Sequence, residues 1–328
     1  MISTSTITYN LHIRYRPQDN RKHKMEIPVA FPPTKRIAVV TGANKGIGLE
    51  ICRQLASNGV VVILTARDNK RGHEAIKTLH DSGFSDVFFH QLDLMDPSSV
   101  GSLANFIKTQ FNRLDILVNN AGVSGMITDA EAFTSLNLKS NELLGVKAEM
   151  VKQVVKRTYE TDEGCIRTNY YGTKQVTEAL IPLLLQSHSA RIVNVSSTLG
   201  QLKFLSNERA KEVLSNVDDL TEEKIDHVVK GFLDDAKEGL QDTKGWPVNL
   251  AAYVVSKAAL DAYPRILAKK LTKICTNAVS PGFVKTDLSF NNGQFTVEEG
   301  ARGPVMLALA PDGGASGLFF DQMELSTF

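Results

Sequence analysis

Cysteine is scarce in this sequence. The three cysteines, Cys52, Cys165 and Cys275, lie far apart and are odd in number. They make neither a disulfide framework nor a zinc site, which excludes the small disulfide-stapled and zinc-stabilised classes of protein. We therefore expect no metal site, and free thiols of this kind are typical of a protein from a reducing compartment.

Long apolar runs and an excess of one charge are also missing. No apolar stretch reaches the about 20 residues that a membrane-spanning helix needs, so we expect no contact with a membrane. The 37 basic and 36 acidic side chains leave a net charge of +1, which provides no basic field for binding nucleic acid. A chain of 328 residues, 42% of them hydrophobic, can bury the core of one large α/β domain.

Acidic residues are almost absent from residues 1–35, which are instead rich in serine, threonine and basic side chains. This composition overlaps with that of organelle transit peptides, although no clear amphipathic helix of the transit type is present. An unstructured tail, or a true start at Met25, is the simpler explanation. We predict a disordered or targeting-like extension over 1–35, a single domain over 36–328, and a cytoplasmic protein.

Short apolar runs alternate with amphipathic stretches from residue 36 onward. Continuous apolar strands that alternate with helices are typical of a parallel sheet covered on both faces. The sequence therefore predicts an α/β fold of the doubly wound (Rossmann) type, with a mostly parallel seven-stranded sheet and helices at 49–59, 165–187 and 253–270. The predicted strands are 36–42, 60–67, 87–94, 115–122, 190–197, 276–282 and 317–321.

A long segment at 201–248 interrupts this alternation just before Tyr253, and it exceeds an ordinary connection between a strand and a helix. Within it, residues 220–240 place apolar side chains on one helical face. Thr221, followed by two glutamates, supplies an N-cap and a first turn that suit the helix dipole. The sequence thus predicts an inserted helix whose apolar face contains Ile225, Val228, Val229, Phe232, Leu233 and Ala236.

A glycine-rich turn joins the first predicted strand to the first helix, with the sequence TGANKGIG from Thr41 to Gly48. Glycines allow a tight turn and a close approach of the backbone to a pyrophosphate, which then lies at the helix N-terminus. A glycine-rich turn alone is a weak signal. Here it follows a strand, opens a helix and begins a βαβ unit, which is the context that indicates a dinucleotide site.

The end of the second strand distinguishes NADP from NAD. An NAD site needs an acidic residue about 20 positions after the glycine motif, where it binds the ribose 2′-hydroxyl. Here the strand ends in Arg67, with Arg71 one turn later and Lys45 in the glycine-rich turn. Three cations suit a 2′-phosphate, so the sequence predicts NADPH. Asp68 is the alternative NAD ligand, but it follows Arg67 instead of ending the strand.

Tyr253 and Lys257 are four residues apart at the start of a predicted helix, which places them on one face. A tyrosine releases its proton reluctantly, and a nearby ammonium group lowers the tyrosine pKa toward the working pH. Ser197 ends the fifth predicted strand, where its hydroxyl can hydrogen-bond a substrate carbonyl oxygen. This set predicts Tyr253 as proton donor and Lys257 as its activator.

The motifs TGANKGIG, HQLD, NNAG, NVSS, YxxxK and PGFVKTD occur in the order typical of the short-chain dehydrogenase/reductase family, which the chain resembles over about 36–328. The phrases LTARDNKRG, TNYYGTK, GWP and VEEGA resemble a narrower group. That group contains the monomeric carbonyl reductases and their plant relatives of the (+)-neomenthol dehydrogenase and salutaridine reductase type.

The resemblance implies further site roles. Asn169 would hold a water in a proton relay, and Ser197, not Ser196, would be the catalytic serine beside Tyr253 and Lys257. Lys257 would also bind the nicotinamide ribose, Asp93 would meet the adenine, and the residues after Pro281 would contact the carboxamide and pyrophosphate. The cofactor set is Gly42, Asn44, Lys45, Gly46, Ile47, Gly48, Arg67, Arg71, Asp93, Asn120, Tyr253, Lys257, Pro281, Gly282, Val284 and Thr286.

Several positions keep an alternative interpretation. Asn169 also suits a helix-packing or capping role, and Asp93 a turn at a strand end. Trp246 belongs either to the core or to the wall of the substrate pocket. Pro264 lies inside the helix of Tyr253 and is expected to bend its far half. Ser280 departs from the cysteine that is usual at this position in the resembling group.

The function implied is NADPH-dependent reduction of a ketone or aldehyde, and the reverse oxidation uses the same groups. The substrate is expected to be a small hydrophobic carbonyl compound, and a monoterpenoid ketone, an alkaloid ketone and a simple aldehyde stay open. The rival interpretation is a catalytically silent protein that senses NADP(H) on the same fold. The intact set of Asn169, Ser197, Tyr253 and Lys257 favours the enzyme. We expect a monomer, because the inserted helix would cover the face through which many such reductases pair.

Overall fold

The structure is a computed structural model that describes residues 35–138, 142, 144 and 147–328. The predicted N-terminal extension over 1–35 lies outside the described residues, apart from Lys35. None of the helices within the described ranges is both long and apolar enough to cross a membrane.

Two sheets are present among the described residues, one large and one small. The strands are β1 (Ile37–Val40), β2 (Val61–Ala66), β3 (Val87–Gln91), β4 (Ile116–Asn119), β5 (Ile127–Thr128), β6 (Val155–Lys156), β7 (Ala190–Val195), β8 (Ile274–Ser280), β9 (Phe319–Asp321) and β10 (Glu324–Ser326). The large sheet has the order β10-β9-β8-β7-β4-β1-β2-β3, and β5 pairs with β6 in the small one. All neighbours in the large sheet are parallel except β9 and β10.

Helices cover both faces of the large sheet, so that every residue of β1, β2, β4 and β7 is buried. This confirms the predicted doubly wound α/β fold. The helices are α1 (Gly46–Ser57), α2 (Asn69–Asp81), α3 (Pro97–Phe111), α4 (Ala130–Ser135), α5 (Ala148–Val154), α6 (Tyr159–Ile166), α7 (Thr173–Leu184), α8 (Glu208–Ser215), α9 (Glu222–Lys237), α10 (Ala251–Lys270) and α11 (Val297–Leu309).

The large sheet has eight strands where the sequence predicted seven. The additional strand, β10, contains three residues and runs antiparallel to β9 at the edge of the sheet. Its central residue, Leu325, is 65% exposed. A short exposed strand has neither an apolar run nor an alternating pattern, so sequence periodicity gives no signal for it.

The predicted helix over 165–187 is interrupted in the structure. It begins earlier, as α6, and continues through a π-helical turn at Arg167–Gly172 into α7. A π-helical turn adds a residue to the helical repeat, and such turns are frequent at functional sites. Asn169 lies within this turn.

The inserted segment contains two helices, α8 and α9, where the sequence predicted one. Thr221 caps α9 by accepting a hydrogen bond from the backbone of Lys224, as predicted. The apolar face of α9 packs against α6 and α10. Ile225, Val228, Val229 and Phe232 on that face are buried, so α9 is part of the core of this unit.

A second long connection, between β4 and α6, was not predicted from the sequence. It contains the β5–β6 pair and the short helices α4 and α5. Residues of this connection and of the loop between β8 and α11 lie near Tyr253 of α10, at the carboxyl ends of the parallel strands. These two connections supply much of the apolar wall described below.

Candidate active site

The candidate site is a cleft of about 850 Å³ at the carboxyl ends of the parallel strands. β1 and β4 are neighbours, but the chain leaves them toward β2 and β7 on opposite sides. Doubly wound folds bind their ligands at such a switch point. Every residue of the predicted cofactor set lines this cleft, and Ser197 does so as well, whereas Asn169 does not.

The glycines of the glycine-rich turn let its backbone pack closely against the residues that follow β4. Gly42 has a φ of +61°, and a Cβ placed there would come within 2.8 Å of Ala121. A Cβ at Gly48 would come within 2.4 Å of the Asn120 amide. No side chain among the described residues caps the N-terminus of α1, which begins at Gly46. Its backbone N–H groups are therefore available to a pyrophosphate, so this turn fits a dinucleotide.

Asn120 supports the glycine-rich turn from β4. Its side-chain nitrogen donates hydrogen bonds to the carbonyl oxygens of Thr41 (2.9 Å) and Gly42 (3.2 Å). In return, the Thr41 hydroxyl accepts from the backbone N–H groups of Asn120 and Ala121, both at 3.0 Å. These reciprocal bonds fix the turn against the end of β4.

The cationic end of the cleft contains the three basic residues predicted from the sequence. Arg67 follows β2, Arg71 lies in the first turn of α2, and Lys45 reaches Asp287 across the mouth of the cleft. Asp68 caps α2 by accepting from the backbone of Arg71 at 2.9 Å, which holds the pKa of its carboxyl below the usual range. Because its carboxylate already caps the helix, Asp68 is a poor NAD ligand.

Asp93 lies farther along the same wall. Its carboxylate accepts a hydrogen bond from the backbone of Met95 at 2.9 Å, so it stabilises the turn after β3. The side chain also lines the cleft. Both interpretations of Asp93 therefore stand, and its contact with adenine stays a prediction.

Tyr253 lies in the first turn of α10, and Lys257 follows one turn later. The ammonium group of Lys257 is buried and donates to the carbonyl oxygen of Val195 at 2.9 Å, and it lies 5.6 Å from the centre of the Tyr253 ring. Ser197 follows β7, and its hydroxyl accepts from the backbone of Leu199 at 3.2 Å. The three predicted catalytic side chains therefore meet at one point of the cleft.

Burial shifts the two titratable groups at this point. It raises the pKa of Tyr253 to about 12, a shift that a hydrogen bond with Ser197 opposes. The lowering of this pKa by Lys257, which the sequence predicts, stays a prediction. Burial lowers the pKa of Lys257 to about 8, and the nearby carboxyl of Asp261 opposes this shift. Tyr253 consequently keeps its proton at neutral pH, as a proton donor must.

Asn169 is fully buried behind this group. Its side-chain oxygen accepts from the backbone of Val123 at 2.8 Å, and its nitrogen donates to Val123 (2.9 Å) and to Ser256 (3.0 Å). A Cβ at Gly122 would come within 3.3 Å of the Asn169 oxygen and 3.6 Å of the Lys257 nitrogen, so the two side chains flank Gly122. The structure shows a packing role for Asn169, and the proton relay stays a prediction.

The cleft also has an apolar end beside Tyr253, which the sequence analysis missed. Phe133 of α4 and Phe290 pack with ring centres 5.1 Å apart. Leu250, directly before α10, has a φ of 52°, an uncommon conformation for a residue with a branched side chain. The length of the two connections that carry most of this wall was its only sequence signal. The apolar lining consists of Val123, Met126, Phe133, Leu199, Leu250, Leu288 and Phe290.

Trp246 belongs to the core and not to the cleft. Its ring lies 5.2 Å from that of Phe232 on α9, and its indole N–H donates to Asp235 at 2.8 Å. Of the two alternatives left open by the sequence, the structure therefore supports packing of the insert. Pro264 is likewise accommodated, since α10 continues past it to Lys270.

The chain is similar to known proteins along most of its length. It is 52% identical over 311 residues to salutaridine reductase from Papaver somniferum, which covers 92% of this chain and 100% of that protein. The solved structure of that reductase matches with a TM-score of 0.83, covering 88% of this chain and 99% of that one. The (+)-neomenthol dehydrogenase of Arabidopsis thaliana is 54% identical over 301 residues, covering 90% and 99%.

A more distant similarity extends to mammals. Carbonyl reductase [NADPH] 1 of Rattus norvegicus is 37% identical over 300 residues, covering 88% of this chain and 97% of that protein. A family model described as short chain dehydrogenase matches residues 36–208, which include the glycine-rich turn, Asn169 and Ser197. With Tyr253 and Lys257 placed beside that matched region in one cleft, the chain belongs to the short-chain dehydrogenase/reductase family of oxidoreductases.

Proposed function

We propose that this enzyme reduces the carbonyl group of a small, neutral, hydrophobic ketone or aldehyde with NADPH, in a reversible reaction. One observation carries the proposal: Tyr253, Lys257 and Ser197 lie between a cationic end and an apolar end of a single cleft. The relatives named as NADPH-dependent carbonyl reductase, salutaridine reductase and neomenthol dehydrogenase support the same chemistry.

The reaction follows from the placement of three side chains. NADPH, when bound in the cleft, supplies the hydride that reaches the carbonyl carbon. The Ser197 hydroxyl hydrogen-bonds the carbonyl oxygen and stabilises the charge that develops there. Tyr253 donates its proton to that oxygen, since an alkoxide is a far stronger base than a phenolate. The buried ammonium group of Lys257 then stabilises the phenolate that remains.

The cationic end supports NADPH as the cofactor. Lys45, Arg67 and Arg71 line the same cleft, and a 2′-phosphate accepts charge-assisted hydrogen bonds from such side chains. Asn44 belongs to the same end. Pro281, Gly282, Val284 and Thr286 would hold the nicotinamide half, and Lys257 its ribose.

The apolar end supports a neutral, hydrophobic substrate. Its described walls are mostly aliphatic and aromatic, and none of their described residues carries a carboxylate that could pair with a cationic substrate. The acidic side chains that line the described cleft, Asp68, Asp93 and Asp287, all belong to the cofactor half. The substrate is therefore a compact ketone or aldehyde of the terpenoid or alkaloid kind, bound in uncharged form, which suits a role in plant secondary metabolism.

A panel of carbonyl compounds tests this function. Cyclic monoterpenoid ketones, linear aldehydes and a size-matched ketone that carries a permanent ammonium group are offered with NADPH, and its absorbance is followed. We expect turnover of the neutral cyclic ketones and much less of the charged one. Tight NADPH binding without oxidation by any compound would instead favour the cofactor-sensing protein.

Three further properties belong to this proposal. The protein is a monomer, because α9 covers the face of α6 and α10 through which a partner would otherwise pack. Residues 1–35 are an extension that the domain over 36–328 does not need. The enzyme acts in the cytoplasm, which suits three free cysteines, of which Cys52 and Cys165 are buried.

A further inference from the structure

A buried carboxyl group lies directly behind the proposed catalytic pair. Asp261 is on α10, one turn beyond Lys257, and is only 2% exposed. Neither of its carboxyl oxygens has a hydrogen-bond partner of standard geometry among the described residues. A buried polar group without such a partner is destabilising, so its presence calls for an explanation.

The carboxyl group of Asp261 is surrounded by charged and polar groups next to the active site. On its own helix it lies between Lys257 and Arg265, four residues away on either side. From the end of β7, the hydroxyl of Ser196 faces the carboxyl and favours its ionised form. From the turn after Ser197, the backbone of Gly200 packs so closely that a Cβ there would come within 2.4 Å of the carboxyl oxygen.

Each of the two cations next to Asp261 has another contact. The guanidinium group of Arg265 lies 3.5 Å from the centre of the Phe328 ring, which draws it toward the C-terminus. The Lys257 ammonium group donates to Val195, and the Cys165 side chain on α6 is close enough to influence its pKa. Asp261 is thus the acidic side chain that faces Lys257 within the described part of the chain, and Lys257 faces Tyr253.

We propose that Asp261 is a positioning residue for the reduction, which acts through Lys257 by keeping its ammonium group charged at alkaline pH. The inference rests on the proposed function. The carboxyl group does not touch the substrate. It acts on the site electrostatically, through its interaction with Lys257 one turn away on α10. When Asp261 ionises, its negative charge favours the protonated form of Lys257 and also that of Tyr253.

The titration of the two groups agrees with this arrangement. Burial raises the pKa of Asp261 to about 8, and burial lowers the pKa of Lys257 to about 8. The two shifts bring the pKa values of Asp261 and Lys257 toward each other. As the pH rises, loss of the Asp261 proton opposes loss of the Lys257 proton, which extends the active range upward. The Asp261 charge likewise raises the pKa of Tyr253.

The test is the pH profile of kcat/KM for a reduced ketone in the wild-type protein and in Asp261→Asn. Asparagine preserves the shape of the side chain but cannot ionise. We expect the alkaline limb of the profile to move to lower pH by about 1 unit or more, with little change in kcat/KM below the limb. Asp312→Asn is the control, because Asp312 is exposed and pairs with Arg191; its profile should match the wild type.

An unchanged alkaline limb in Asp261→Asn, or a uniform loss of activity at all pH values, would overturn the proposal, since a merely structural role predicts one of these. Infrared spectroscopy of the wild-type protein provides a second measurement that does not depend on the variant. A protonated carboxyl band should be present at about pH 6 and disappear as the pH rises past about 8. A spectrum in which no such band titrates in this range would also overturn it.

The two proposals can fail separately. If the wild-type protein reduces no carbonyl compound, the proposed function fails. In that case the same variants are compared by the pH dependence of NADPH affinity, because Lys257 also lines the cofactor cleft. A downward shift in Asp261→Asn supports the coupling of the two groups even then, and an unshifted profile refutes it.

Discussion

The arginines at the cationic end of the cleft allow a quantitative prediction of the preference for NADPH over NADH. Arg67 and Arg71 line the cleft, are exposed, and make no ion pair within the described ranges. Their guanidinium groups are therefore available to a 2′-phosphate, which distinguishes NADPH from NADH. Replacing either arginine with alanine should weaken the binding of NADPH and leave the binding of NADH nearly unchanged.

The magnitude follows from the strength of charge-assisted contacts. A hydrogen bond to a charged group contributes about 1.5–3 kcal/mol, and each 1.4 kcal/mol changes a dissociation constant tenfold. The loss would then be about 10- to 150-fold for each arginine. Because both side chains are exposed to solvent, screening reduces the contribution, and we expect the lower end, about tenfold.

Fluorescence titration with NADPH and NADH, at fixed low salt, measures both affinities. Lys70→Ala is the matched control, since Lys70 lies beside Arg71 on α2 but does not line the cleft. It should leave the ratio of the two affinities at the wild-type value. If Arg67→Ala and Arg71→Ala weakened NADPH and NADH equally, or if the wild-type protein bound both equally, the assignment of the 2′-phosphate site would be refuted.

Three other predictions concern the reaction and the assembly. Tyr253→Phe should lower turnover by about 10²–10⁴-fold with NADPH affinity retained, whereas Lys257→Ala should impair both; a Phe variant with a tenth of the wild-type rate would contradict the role of proton donor. A shortened chain that begins at Met25 should keep its thermal stability and activity, and a loss of either would show that the extension is needed. Light scattering during size exclusion should give a mass near 36.0 kDa, and a mass of twice this value that persists on dilution would reject the monomer.

The sequence was most informative where chemistry and periodicity coincide. The apolar strands were recognisable because a buried parallel sheet needs continuous apolar runs. Their predicted ends extended too far, because Gly42, Asn120 and Ser196 continue the motif but leave the sheet to line the cleft. Residues that line the cleft thus lie just beyond the ends of the strands, where the apolar strand pattern stops.

Other features depend on contacts between residues distant in sequence. The π-helical turn around Asn169 has no signature in a helical pattern, because it is stabilised by bonds to Val123 and Ser256 from other elements. The apolar end of the cleft forms only when Phe133 meets Phe290. Asp261 resembles a solvated helix residue in the sequence, and it is buried because elements distant in sequence, such as the turn of Gly200, pack against it.

The inserted helix α9 is held against the helices of the active site by polar contacts and by apolar packing, unlike a mobile lid. Tyr170, the neighbour of Asn169 in the π-helical turn, donates its hydroxyl proton to Asp226 of α9 at 2.8 Å. Lys174, one turn later, pairs with Asp226 at 3.0 Å and with Glu222 at 3.2 Å. The buried apolar side chains of α9 add about 1.5–3 kcal/mol each to this attachment. Because α9 contacts both α6 and α10, the same insert that covers a potential pairing face also restrains the helices that present Asn169 and Tyr253.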